Sequence, residues 1–123
     1  MAEIPEICMK NVVLNSERHC KALDFALYVL LHDSVFSKYV DEIYLYGSCA
    51  RGEQKYRSDV DLLVRVLPET PPRIMRQMRA ETVADDISLP EVELKFATGA
   101  DFSTSRQFDE NIRRDGKLLW KKV

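Results

Sequence analysis

The sequence predicts an α/β (α+β) domain, a small mixed β-sheet flanked by helices in the order α-β-α-β-α-β-α with a trailing strand. Three observations carry this. A run free of Gly and Pro from Ser16 precedes the first strand-like stretch, which ends at Gly47. Short apolar stretches bounded by Gly or Pro then alternate with helical ones. At 123 residues, with 46% apolar and 31% charged residues, the chain has the material for one core and the charge to cover it. A single domain is expected over 1–123, its sheet-bearing core at about 41–120 and preceded by a helix at about 16–38.

Ser16 is read as the N-cap of that first helix, which runs to about Lys38. Its centre, "FALYVLL" from Phe25 to Leu31, is apolar on every side, whereas a surface helix shows one stripe, so one face is expected to serve a partner. "EIYLYG" reads as a strand, and "DVDLLVRVL" as a second that Pro68 stops. Between them Ser48 to Ser58 has room for one or two helical turns, with Ser48 as N-cap. "LPETPP" is a linker. The next helix is expected from Arg73 to about Asp86, with Pro72 in its first turn and Ile74, Met75, Met78 and Val83 toward the core. "PEVELKFAT" alternates Val92, Leu94 and Phe96 against Glu91, Glu93 and Lys95, which is a strand. Thr104 or Ser105 caps a last helix to Arg114, Asp115-Gly116 ends it, and "KLLW" forms the closing strand.

Several functional classes are disfavoured. A net charge of -2 gives no overall field for nucleic acid, although Arg106, Arg113, Arg114, Lys117, Lys121 and Lys122 leave a local polyanion contact open. Cys8, Cys20 and Cys49 are odd in number without a CxxC pair, and His19 and His32 are the only histidines. Neither a disulfide framework nor a zinc site is suggested, and a reducing cytoplasm is the expected compartment. "MAEIPEICMK" lacks a signal-peptide layout, and no apolar run approaches the roughly 20 residues that span a bilayer, so no membrane role is expected.

The chemistry concentrates in "YLYGSCARGEQKYRSDVDLLV". Asp59 and Asp61 alternate out on one face of a strand, and two converging carboxylates call for a shared proton, a basic neighbour or a divalent cation. Hard oxygen donors select Mg2+ or Mn2+. Gly47 and Ser48, at a strand end entering a helix, offer backbone N–H groups and a hydroxyl to phosphate, and Gly47 permits close backbone approach. The connection must return the chain to a neighbouring strand, so the Gly-Ser corner and Asp59 are expected on one edge of the sheet. Glu93 alternates out on the third strand and is the expected third carboxylate, with Glu91 as competitor. A third carboxylate can ligate a metal and help deprotonate an attacking hydroxyl.

These residues resemble a known family. Gly47, Ser48, Asp59 and Asp61 fit the signature G-S-x10-D-x-D of the minimal nucleotidyltransferases of the DNA polymerase β superfamily, and "GSCARG", "SDVDLLV", "VEL" and "IRRDGKLLW" resemble its other motifs. The likeness is to the MntA-like antitoxin type and runs from about Asp41 to Trp120. It implies the nucleotidyltransferase fold, Mg2+ on Asp59 and Asp61 with Glu93 as third carboxylate, and the triphosphate of ATP or another nucleotide near Gly47 and Ser48. It further implies transfer of AMP, and a helical HEPN-type partner in a toxin-antitoxin pair.

Arg51 is read as a phosphate contact or a capping residue at the sheet edge, and Ser58 as a cap that orients Asp59 beside the nucleotide. Cys49 is expected to be a small buried filler, and His19 and His32 surface or packing groups. The expected activity is Mg2+-dependent transfer of a nucleoside monophosphate to a hydroxyl, with release of pyrophosphate. The alternative is a non-catalytic nucleotide-binding or partner-docking module of the same fold, and a homo-oligomer stays open.

Overall fold

The computed structural model describes residues 16–123, so Cys8 and the N-terminal stretch read for a leader lie outside the described residues. Helix α1 (Glu17–His32) opens on Ser16, whose side chain accepts the His19 backbone N–H. It stops at His32, short of the expected Lys38, because Asp33 turns the chain: its Oδ1 accepts the N–H groups of Val35 and Phe36 and so starts the short α2 (Phe36–Tyr39). Strand β1 (Val40–Tyr46), one helical turn α3 (Gly47–Ala50) and strand β2 (Val60–Val66) follow. Then come α4 (Pro72–Glu81), β3 (Val92–Ala97), α5 (Arg106–Asp115) and β4 (Lys117–Lys121). Ser105 caps α5, and Gly116 ends it.

The four strands form one mixed sheet in the order β3-β2-β1-β4. β1 is antiparallel to both β2 and β4, while β2 and β3 run parallel, joined over α4. Alternation then sorts side chains onto two faces. On one, Ile43, Leu45, Val60, Leu62, Val64, Val92 and Leu94 pack against Ala22, Leu23, Ala26, Leu27 and Leu30 of α1 and Ile74 and Met78 of α4. On the other, Leu63 and Ala97 are covered by Phe102 and Ile112, with Tyr44, Tyr46 and Phe108 alongside. The central β2 is therefore apolar on both faces from Leu62 to Val64, with Asp61 before this stretch and Arg65 after it on one face.

Two expectations need correction. The fourth helix ends at Glu81 rather than near Asp86, because the Thr82 hydroxyl donates to the Met78 carbonyl and closes the last turn. Val83, expected in the core, is consequently 47% exposed beyond that end. The centre of the first helix is apolar all round and, as expected, one side of it is left uncovered: Phe25 and Tyr28 face outward at 38% and 56% exposure. No helix among the described residues is long and apolar enough to cross a membrane.

Leu30 is fully buried near the end of α1. Leu30→Ala is expected to lower unfolding free energy by about 2–5 kcal/mol, the usual cost of truncating a closed core position. A urea melt with an unchanged midpoint would contradict the packing described.

Candidate functional site

β1 ends at Tyr46 and turns at Gly47 into α3, with φ +74 at Gly47, a backbone conformation that glycine adopts without penalty. The reason glycine is needed is steric as well: a Cβ at this position would overlap the Asp61 carboxylate. The backbone of the Gly-Ser corner thus rests directly against the first full β2 position carrying an acid. Across the sheet, Asp61 is paired with Tyr46 on β1 and with Glu93 on β3, so these three residues form a row over three adjacent strands.

Asp59 precedes β2 and is exposed, and its two flanking peptides are held. The Ser58 carbonyl accepts from His19 Nε2 at 2.8 Å, and the Asp59 carbonyl accepts from the Cys49 thiol at 3.5 Å. Asp59, Glu91 and Glu93 line an open groove of about 410 Å3 along the edge strand, with Arg79 and Lys95 beside them. Glu93 is half-exposed and lies 3.9 Å from Lys95. As they stand, no three acidic, His or Cys side chains among the described residues converge closely enough to hold a metal ion.

The electrostatics are those of an uncompensated acid cluster. Burial, then Glu93 and Asp59, push the Asp61 carboxyl up to about 6, and Lys95 and Arg51 offset only part of this. Among the described residues neither Asp59 nor Asp61 forms an ion pair. Burial, then Asp61 and Glu93, raise Tyr46 well above the usual phenol range, and its hydroxyl is buried with no hydrogen-bond partner among the described residues. Cys49 is buried, and burial together with Asp61 holds its thiol up at about 11, a protonated donor to Asp59 and no nucleophile. Oxygen-only donors around an acid short of positive charge are the chemistry Mg2+ or Mn2+ satisfies, so the residues fit such an ion.

The other expected residues are placed as follows. Ser48 sits half-buried in the first turn of α3. Arg51 pairs with Glu53 at 3.1 Å and lines a cleft of about 220 Å3 with Tyr46, Gly47, Phe108 and Arg114. The Ser58 hydroxyl accepts the Lys55 N–H, so it closes a turn and is not turned onto Asp59. Glu91, the competitor of Glu93, is out of register with Asp61, and its carbonyl accepts the Val60 N–H. Tyr46 was missed, although the alternation of "YLY" places it on the face of Asp61. His19 was read as packing and is buried, but it also reaches Ser58.

Residues 31–115 match the model of the nucleotidyltransferase domain. The chain belongs to this family. The nucleotidyltransferase is similar to a crystal structure of a toxin-antitoxin with AMP-PNP, at 25% identity and TM-score 0.57, over 79% of this chain and 72% of that one. It also resembles a toxin-antitoxin MntA-HpeT mutant at 24% identity and TM-score 0.55, over 76% and 68% of the two chains. A Sulfolobus solfataricus protein described as a candidate nucleotidyltransferase matches at 19% identity and TM-score 0.56, over 99% and 93%. The last two are likenesses of fold. No curated protein matches the chain significantly. The mixed sheet and helix order of the nucleotidyltransferase agree with the fold class expected from its sequence.

The raised Asp61 gives a signed expectation for the metal-free protein. Below about pH 4 the carboxyl is protonated folded and unfolded alike; as pH rises to about 6 the unfolded chain releases the proton first and stability falls. Asp61→Asn removes this penalty. Discounted for a half-exposed group, the gain is about 1–2 kcal/mol at pH 8 in EDTA, fading toward pH 4. Thermal melts across that range that show no gain at pH 8 would contradict it.

Proposed function

We propose that the protein transfers a nucleoside monophosphate, AMP from ATP, to a hydroxyl of a protein acceptor and releases pyrophosphate. The observation that carries this reading is the close approach of the Gly47 backbone to Asp61, where the end of β1 meets the start of β2 and a corner suited to phosphate would stand beside the acids. Asp59 and Asp61, with Glu93 after it leaves Lys95, would hold Mg2+. When bound, such an ion neutralises the phosphate oxygens and draws charge off the phosphorus under attack. Gly47 and Ser48 hold the β- and γ-phosphates through backbone N–H groups and the Ser48 hydroxyl, with Arg51 and Ser58 on the nucleotide side. The acceptor oxygen attacks the α-phosphorus and its proton passes to a carboxylate, Glu93 in this reading. The bond from the α-phosphorus to the bridging oxygen breaks, and pyrophosphate leaves with that electron pair.

The partner in this reading is a helical HEPN-type protein in a toxin-antitoxin pair, supported by the likeness to the toxin-antitoxin with AMP-PNP. The face proposed to meet it is the groove floored by Phe25, Tyr28 and Val83 between α1 and the end of α4. Glu81, Asp85 and Asp86 rim it and no Lys or Arg lines it, so the partner surface that fits is an apolar helix flanked by basic residues. The protein is proposed to work in the cytoplasm.

Incubation with α-labelled ATP and Mg2+ beside a co-expressed HEPN-type protein is expected to label that protein. Asp61→Asn is expected to cut the rate on the order of a thousandfold, the several kcal/mol that a metal-held phosphoryl site supplies. Equal labelling by wild type and Asp61→Asn would sink the enzymatic reading and leave the docking module. Tyr28→Asp is expected to abolish co-purification with the partner while ATP binding persists, and loss of neither would move the contact elsewhere.

A further inference from the structure

The first turn of α1 lies outside the segment shared with the family, which begins at residue 31, yet it touches both loops that lead into the acid-bearing strands. His19 is 1% exposed. Its Nε2 meets the Ser58 carbonyl at 2.8 Å, and a carbonyl can only accept, so Nε2 carries the proton. In the neutral ring Nδ1 then accepts from the Ser16 hydroxyl at 2.6 Å, and the same oxygen accepts the His19 backbone N–H. The imidazole is thereby assigned one tautomer and one orientation, with its only free donor spent on the peptide before Asp59.

Arg18, the preceding residue, acts in parallel. Its Nε donates to the Ser88 carbonyl at 2.7 Å and its Nη1 to the Tyr56 carbonyl at 3.0 Å, while the guanidinium lies 3.9 Å over the Tyr56 ring. One side chain therefore ties the loop before Asp59 to the loop before β3, which ends at Glu91 and leads into Glu93 on the strand. Ordinary helix packing needs apolar contact from α1, which Leu23, Ala26, Leu27 and Leu30 provide elsewhere on the same helix. Polar groups of Arg18 and His19 spent on three loop carbonyls have a different consequence, which is to fix where two acid-bearing segments stand relative to each other.

We propose that Arg18 and His19 are positioning residues that fix the backbone segments bearing Asp59 and Glu93 relative to each other, so that their side chains can close on a divalent cation. The proposal rests on the reading of those acids as metal ligands. Residues behind a ligand typically alter metal affinity about 10–100-fold when removed.

The test is calorimetric titration of the full chain with Mn2+, paired with amide hydrogen exchange at Ser58 and Val60. The variants are His19→Leu, His19→Gln, Arg18→Met, Asp61→Asn and, as a stability control far along α1, Leu30→Val. His19→Leu is expected to weaken Mn2+ binding about tenfold or more and to speed Ser58 exchange by a similar factor. His19→Gln, whose amide nitrogen can take the place of Nε2, is expected to recover to within about threefold. Leu30→Val should leave Mn2+ affinity at the wild-type value. Should His19→Leu fail to fold, Arg18→Met replaces it, with an expected weakening of about threefold or more. Wild-type affinity in the folded variant, or a His19→Gln as weak as His19→Leu, overturns the proposal. If wild type and Asp61→Asn bind Mn2+ alike, the metal reading fails by itself. Exchange at Ser58 then decides the clamp, and unchanged exchange overturns it.

Discussion

A carboxylate at Asp61, half-buried between Tyr46 and Glu93 and pressed against the Gly47 backbone, is the constraint around which this sheet edge is organised. Left to itself a chain would relieve such a group with a Lys or Arg in contact, as it does at Arg65, whose Nε meets Glu42 at 2.5 Å on the same face of the sheet. Here the nearest basic groups are committed elsewhere, Lys95 to Glu93 and Arg51 to Glu53. The contrast between these two ends of one face is informative. The fold pairs the acid it needs only for structure and leaves unpaired the one that the proposed chemistry uses.

Such a site costs stability, and the sheet offsets it by being buried on both sides just beyond the acids. Leu62 and Val64 pack under α1 while Leu63 packs under Phe102 and Ile112, so β2 is held in register from three residues past Asp59 onward. Register matters more than affinity here. A slip of one residue would send Asp61 into the face occupied by Leu27 and Leu30. The same alternation that makes the core therefore fixes which side chains can meet at the edge.

Much of this was legible from residue pattern, and the exceptions have physical causes. Strand alternation put Asp61 and Glu93 opposite Val60, Leu62, Val92 and Leu94 because the period-two rule is local, whereas the second core around Leu63, Phe102 and Ile112 was not anticipated. The Ser16 cap and the Gly116 stop were also local signals, visible in the residues that supply them. The break at Asp33 was not, since a capping carboxylate inside an apolar run looks the same as a solvated one until the next turn is seen. Val83 failed for a related reason: its helical spacing is sound, but the helix had ended. Glu93 was placed on the right strand and face, while its partnership with Lys95 two residues on depends on rotamers that no pattern specifies.

His19 shows how a long-range role hides behind a short-range one. Its i, i+3 relation to Ser16 marks it as part of a capped first turn. Its second bond crosses to Ser58, and the reason it can lies in matched lengths. A helix of 16 residues rises about 24 Å, and a strand of seven residues extends about 23 Å. α1, packed on the Val60, Leu62 and Val64 face, is therefore long enough to run the length of β2. Its C-terminal end leads through α2 into β1 at Val40, which pairs with Val66 at the far end of β2. Its first turn must then fall beside the start of β2, where Asp59 stands. A helix shortened by one turn at its start would keep Leu23 to Leu30 over the sheet and lose the reach to Ser58. The length of α1 past its apolar contacts is thus explained by what its first turn touches.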